Sequence, residues 1–273
     1  MSTEYVIERQ HKFSLGLKEL VRYRELFYFF TWRDIKVKYK QAALGFLWAV
    51  LQPLLMMLIF SVITEKLNLD TEGIPKPVFA LSGLIIWNIF SSGLQNSANS
   101  MVTNANIIKK IYFPRLIIPM SSILTALFDF CFALLVYIGV VLWFHHDTDW
   151  LRVLYCLPMA ILLTVFTTFG LGTFLAALNV KYRDFQYVIP FMIQLLLFVN
   201  PVFYSSKIFT EGLFGWIMRL NPLANAINLS RSAFTGNPID WSGVGMSFGV
   251  ALVLFFIGIY TFRKTEAYFA DLA

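Results

Sequence analysis

The sequence predicts an all-α polytopic membrane protein. It has six transmembrane helices, an N-terminal amphipathic interface helix and two short re-entrant helices before the last span, with both termini cytoplasmic. Three observations predict this. Six runs, roughly Gln41–Thr64, Pro77–Ile108, Leu116–Phe144, Val153–Val180, Phe185–Ser206 and Trp241–Phe262, carry one charged side chain among them, Asp129. A helix crosses the ~30 Å hydrocarbon core with about 20 apolar residues, and amides in hydrocarbon must be satisfied inside their own segment. Hydrophobic residues make up 58% of the 273 and charged ones only 14%, against about 25% in soluble domains. No room is left for a separate soluble catalytic domain. Finally, of the 22 Lys and Arg, sixteen fall in one alternating set of segments (the N-terminal segment, second loop, fourth loop and tail) and six in the other. The positive-inside rule places the sixteen in the cytoplasm.

These signals divide the chain into a cytoplasmic N-terminal segment at 1–43, a transmembrane domain at 44–264 and a tail at 265–273. The expected spans are 44–64, 78–98, 117–143, 153–178, 186–204 and 241–262, with a re-entrant region at 207–239. The net charge of +6 is the same inside bias and does not require nucleic acid as a partner. Cys131 and Cys156 fall within apolar runs and read as buried thiols.

In the N-terminal segment, Lys18, Arg22, Glu25, Arg33, Lys36 and Lys40 share one helical stripe. Leu20, Phe27 and Phe30 lie away from it, amid the aromatic run that ends at Trp32. A helix lying in the cytoplasmic interface fits better than a mere basic leader, because fixing topology does not need so many aromatics. Arg22, Phe27, Phe30, Trp32 and Arg33 are its candidate interface residues.

After the second run, Asn104 can cap a short helix. Ile107, Ile108 and Ile111 give that helix an apolar face beside Lys109 and Lys110, and Pro114 ends it. From the residues alone, this is either a knob for a partner's groove or a membrane-grazing bend.

Asp129 sits within the third run, and an ionised Asp at mid-span costs about 2.5–3.5 kcal/mol, so it should face protein or water. No chain of acids or histidines accompanies it along the spans, which favours a structural role over an ion relay. His145 and His146 beside Asp147 and Asp149 form a short polar turn rather than a metal site. Between the fifth and sixth runs, Asn-Pro recurs at Asn200, Asn221 and Asn237. It cuts an apolar stretch into pieces too short to span, and such dipeptides favour turns. Two re-entrant helices fit, and two further spans are the competing topology.

Enzyme signatures are missing. There is no Gly-Lys dipeptide, hence no P-loop, and neither His-Glu-x-x-His nor Gly-x-Ser-x-Gly occurs. The sequence therefore predicts no catalytic or metal residues and no cofactor in this chain. Aromatics beside polar groups, at Trp48, Trp87, Asn88, Phe198, Phe203 and Tyr204, are candidates for a passage in which a sugar slides over flat faces.

Several long motifs occur in order: Trp32–Gln41, Leu44–Pro53, Leu81–Trp87, Asn104–Arg115, Leu178–Asp184, Asn200–Tyr204, Asn221-Pro222 and a tail from Phe262 through Phe269 to Asp271. With these, the chain resembles the membrane (permease) subunit of type-2 ABC exporters, closest to the group exporting O-antigen, capsular polysaccharide or teichoic acid. The resemblance implies a bacterial inner-membrane permease that moves a lipid-linked (undecaprenyl-type) polysaccharide. It implies a homodimer with two copies of a separate ATPase subunit, which holds ATP and Mg. It also implies a coupling helix at Asn106, Ile107, Ile108, Lys109, Lys110, Ile111, Tyr112, Phe113 and Arg115, so that Ile108→Asp or Ile111→Asp is expected to uncouple ATP hydrolysis from export. The alternatives are a type-2 exporter of a drug or lipid, and a membrane enzyme acting on polyprenyl-linked sugars.

Overall fold

The computed structural model describes residues 21–40, 47–144, 148–209 and 212–266. Lys18 of the predicted stripe, the His145-His146-Asp147 turn and the Phe269–Asp271 part of the tail motif lie outside them. Among the described residues, the regular elements are helices: α1 (Arg24–Lys40), α2 (Leu47–Lys66), α3 (Lys76–Thr103), α4 (Ala105–Ile108), α5 (Ile117–Trp143), α6 (Trp150–Lys181), α7 (Phe185–Val199), α8 (Gly212–Leu220), α9 (Pro222–Thr235) and α10 (Trp241–Glu266), with one 3-10 turn at Ser206–Phe209.

Five of them, α2, α3, α5, α6 and α10, are long and apolar enough to cross a membrane. The fifth predicted span, 186–204, is cut short: α7 has 15 residues and ends at Val199. The cause is local. Asn200 precedes Pro201 and takes an extended ψ of 145°, because a proline disfavours helical backbone in the residue before it. The other Asn-Pro pairs also punctuate. Asn221 caps α9 by accepting from the Leu223 and Ala224 amides at 3.0 and 3.4 Å, and Pro222 takes the first helical position. Gly236 ends α9 with φ of 74°, a left-handed conformation that glycine adopts without penalty. Asn237-Pro238 then precedes α10.

The centre of the bundle is α3 and α6, the most buried of the five long helices. Two kinds of contact hold them. Asn179 Nδ2 donates to the Ala98 carbonyl at 3.0 Å and to Asn99 Oδ1 at 2.9 Å. Glycines bring backbones together where lipid offers no hydrophobic drive: a Cβ on Gly172 of α6 would stand 2.8 Å from the Ser97 Cβ of α3, and one on Gly170 2.6 Å from the Leu254 carbonyl of α10.

A second fixed point lies near the other end. Arg231 of α9 is 3% exposed. Its guanidinium donates to the Val202 carbonyl at 2.7 Å, the Tyr204 carbonyl at 3.1 Å and Ser82 Oγ at 3.3 Å, and it covers the Phe79 ring at 3.8 Å. The Val202 carbonyl lies against Gly83, leaving no room for a Cβ there. The chain from Asn179 to Val202 thus runs alongside α3 from the level of Asn99 to that of Gly83, about 24 Å at helical rise.

The interface helix departs from expectation. Rather than lying flat across the end of the bundle, α1 climbs alongside α5. Its Phe30 ring packs on Phe113 at 5.5 Å and its Tyr39 ring on Phe128 at 6.3 Å. The C-terminal end of α1 therefore reaches Asp129, twelve residues or about 18 Å into α5. The reason is in the sequence. Tyr23, Leu26, Phe27 and Phe30 make a packed face that joins the second core cluster, while Tyr28, Phe29, Trp32 and Val37 remain exposed.

Candidate functional site: a polar crevice among the spans

The distinguishing feature of α3 is what it leaves open. From Val78 to Leu94 every residue is buried except Asn88, Ser91 and Ser92. With Gln95 these polar side chains recur at the third, fourth and seventh positions, one helical face. They line a crevice of about 600 Å³ bounded by α1, α2, α3, α5 and α7. Opposite them stand Trp48 and Gln52 of α2, Asp129 of α5, and Lys38 and Tyr39 of α1. Pro53 and Pro190 also border the space. A proline cannot donate to the carbonyl four residues earlier, so Ala49, another lining residue, lacks its intrahelical donor.

Asp129 has partners that the sequence did not reveal. It pairs with the Lys38 ammonium and accepts from the Tyr39 hydroxyl. Burial, and then the adjacent carboxylate, hold the Tyr39 hydroxyl well above its usual pKa, so it stays a donor. The structural role expected for Asp129 thus has a concrete form: it fastens the end of α1 to the middle of α5. This pair is partly open to the crevice, with 44% of the Lys38 side chain exposed.

The predicted sugar-facing residues separate into groups. Trp48 and Asn88 meet in the crevice. Trp87 points the other way, buried against Phe90 at 5.4 Å. Phe198 is exposed on α7. Phe203 is buried and stacks on Phe60 of α2 with ring centroids 3.3 Å apart, while the Tyr204 hydroxyl donates back to the Val199 carbonyl at 2.8 Å. Sequence reasoning missed Ser91, Ser92 and Gln95, although their helical spacing within an apolar run was the available signal. It also missed Arg231, the lone cation of the Leu223–Phe234 stretch.

The loop after α3 is rooted rather than draped. Asn104 does not cap α4. Its Nδ2 donates back to the Ser100 carbonyl at 2.8 Å, and its Oδ1 accepts from Arg33 of α1 at 2.8 Å. Ile108 and Phe113 are buried in the cluster that holds Phe30 and Phe262, which corrects the reading of Ile108 as part of an exposed apolar face. Only Ile111 and Tyr112, 57% and 72% exposed, form an apolar tip, next to the exposed Lys109 and Lys110. Arg115 donates to the Glu266 carbonyl at the end of α10, so the loop and the last helix are tied. Arg22 of the predicted interface set is exposed and Phe27 half-buried. Among the described residues, no three His, Cys, Asp or Glu side chains come together to hold a metal ion.

Comparison with known proteins matches residues 25–235 to the ABC-2 type transporter family. The chain is 32% identical over 242 residues to the O-antigen export system permease protein RfbA of Klebsiella pneumoniae, covering 89% of this chain and 92% of that one. A protein of the same name from Myxococcus xanthus is 28% identical over 258 residues, covering 93% and 98%. The polysialic acid transport protein KpsM of Escherichia coli is 27% identical over 247 residues, covering 86% and 91%.

Proposed function

The chain belongs to the ABC-2 type transporter family, and on that premise we propose that it is the permease of a polysaccharide exporter whose glycan passes along the polar crevice. Its role is transport rather than catalysis. The observation that carries this reading is the α3 stripe of Asn88, Ser91, Ser92 and Gln95 facing Trp48 and Gln52. Hydroxyls and amides offer a glycan exchangeable hydrogen bonds, and the indole offers a flat face for the C–H side of a sugar ring. Polar side chains on a spanning helix are costly toward lipid and acceptable toward water or a polar substrate. The relatives named for O-antigen and polysialic acid support a polysaccharide over a drug or a lipid.

The substrate is lipid-linked and crosses the bacterial inner membrane. Six crossings include α7, supported by its run from the level of Asn99 to that of Gly83, and α8 and α9 are re-entrant. Both termini face the cytoplasm, following the charge asymmetry. Two copies of this chain meet along α2 and α7. Only 17% of the apolar window of α2 is buried, α7 exposes Tyr187, Phe191, Leu195 and Phe198, and both helices border the crevice, so a second copy there would enclose it. Two ATPase subunits hold ATP and Mg and receive the tip at Ile111 and Tyr112.

The experiment is deletion of the gene in its host, with surface polysaccharide and intracellular lipid-linked glycan both measured. The reading requires loss outside with accumulation inside, restored by the wild-type gene. Unchanged surface polysaccharide overturns it. For the tip, Ile111→Asp should keep wild-type abundance and lose export, whereas Ile108→Asp, with a carboxylate in a packed cluster, should lower abundance itself.

A further inference from the structure

On the opposite side of α5 from the polar crevice, a groove of about 350 Å³ runs between α1, α5, α6 and α10. Its floor is Leu116, Met120, Ile123 and Leu127 of α5, one helical face, and every side chain that lines it is apolar. From Leu116 to Leu127 the floor is about 16 Å long at helical rise, about half of the ~30 Å hydrocarbon core, or one leaflet.

The two ends differ in charge. At one end Leu116 follows Arg115, Ile259 of α10 stands one turn before Arg263, and Phe27 of α1 stands one turn after Arg24. Glu25 and Glu266 are the acids there, and Arg263 is bonded to Glu266 at 2.9 Å. Arg115 also donates to the Glu266 carbonyl and the Arg263 side chain is only 8% exposed, so Arg24 is the exposed arginine at this mouth. At the other end, the charged residue within one turn of Leu127 or Leu162 is Asp129, which lines the polar crevice and pairs with Lys38. A convex apolar face such as that of α2 offers passing lipid no crevice. This groove does, with an apolar length of one leaflet and a basic mouth.

We propose that the groove is a binding site for an anionic phospholipid, holding one acyl chain between α5, α6 and α10 with its phosphate at Arg24. Basic mouths between spanning helices recruit anionic headgroups, and ordering a chain in a preformed slot costs less than ordering it against an open surface. Such a lipid would brace α1 against α5 beside the loop that follows α3. The proposal needs only that the chain spans a bilayer and does not depend on the identity of the exported substrate.

The test is native mass spectrometry of the full-length permease purified in mild detergent, with bound lipids identified by extraction. Wild type should retain an anionic phospholipid. Val165→Phe and Met120→Phe, each adding volume inside the groove, should lose it while remaining monodisperse, and Val62→Phe on the exposed face of α2 should keep it. Arg24→Gln should weaken retention about fivefold, the effect of one cation near an anionic surface. Equal retention in both groove-filling variants overturns the proposal. So does a retained polyprenyl phosphate instead of a phospholipid, or lipid that appears only after removal of residues 1–20, since the groove would then be filled by the chain itself.

Discussion

Two crevices border α5, and their linings are opposite. On one side Asn88, Ser91, Ser92, Gln95, Gln52 and the Lys38–Asp129 pair surround about 600 Å³. On the other, apolar side chains alone surround about 350 Å³. Inside a membrane the lining decides what enters. A polar wall needs water or a polar ligand, because each unsatisfied group in hydrocarbon costs several kcal/mol, and an apolar wall is already at ease with lipid. The same chain thus offers one surface suited to a hydroxyl-rich passenger and another suited to the solvent it passes through.

The contrast can be broken from either side. The largest effect is expected at the back of the apolar groove. In Gly170→Leu the new side chain meets the α10 backbone, where even a Cβ is 2.6 Å from the Leu254 carbonyl and the Phe255 amide nitrogen. Overpacking of this kind costs about 1–3 kcal/mol or more, and a backbone obstacle cannot rotate away. Immunoblots of membrane fractions should show little full-length chain.

Arg231→Met should come next, and it touches only the polar side. It removes the donor to the Val202 and Tyr204 carbonyls, at about 1–3 kcal/mol for each buried group left unpaired. The α7 wall then loses its anchor to α9. Thermal unfolding of purified protein should fall while lipid retention in the groove persists.

A smaller change is expected at Asp129→Leu, which strands Lys38. Because 44% of the Lys38 side chain is exposed, the loss is about 1 kcal/mol, as for a solvated pair. Lys38→Met combined with Asp129→Leu should recover most of it, giving a positive coupling in a double-mutant cycle. The mildest is Tyr39→Phe, which deletes one hydrogen bond to Asp129 worth about 0.5–1 kcal/mol and should lower the midpoint slightly.

Much of this architecture was legible in the sequence, and the reasons are physical. Spanning helices advertise themselves because hydrocarbon tolerates few charges over about 20 residues, so α2, α3, α5, α6 and α10 were visible as runs. Asn-Pro marks turns through proline's fixed geometry, so the start of α9 was legible too, while the length of α7 was overestimated by reading through Asn200. Partnerships were not legible. Asp129 looked solitary because Lys38 and Tyr39 lie some 90 positions away in the chain, and periodicity carries no information at that separation. Ile108 looked exposed because a short loop gives no sign of which side the protein covers. The crevice sat between these cases. Asn88, Ser91, Ser92 and Gln95 share a helical face in the sequence, but only packing shows that the rest of α3 is buried and this face is not.

The central claim, that the polar face of α3 is the glycan's path, is tested most directly by Asn88→Leu combined with Ser92→Leu in a strain lacking the chromosomal gene, with surface polysaccharide measured at matched permease abundance. These substitutions make two of the four polar positions on this face of α3 apolar and bury no new polar group, so the fold should persist. Abundance should be normal and export reduced about tenfold or more, which is a loss of roughly 1.4 kcal/mol in the path. Wild-type export from this double variant would contradict it.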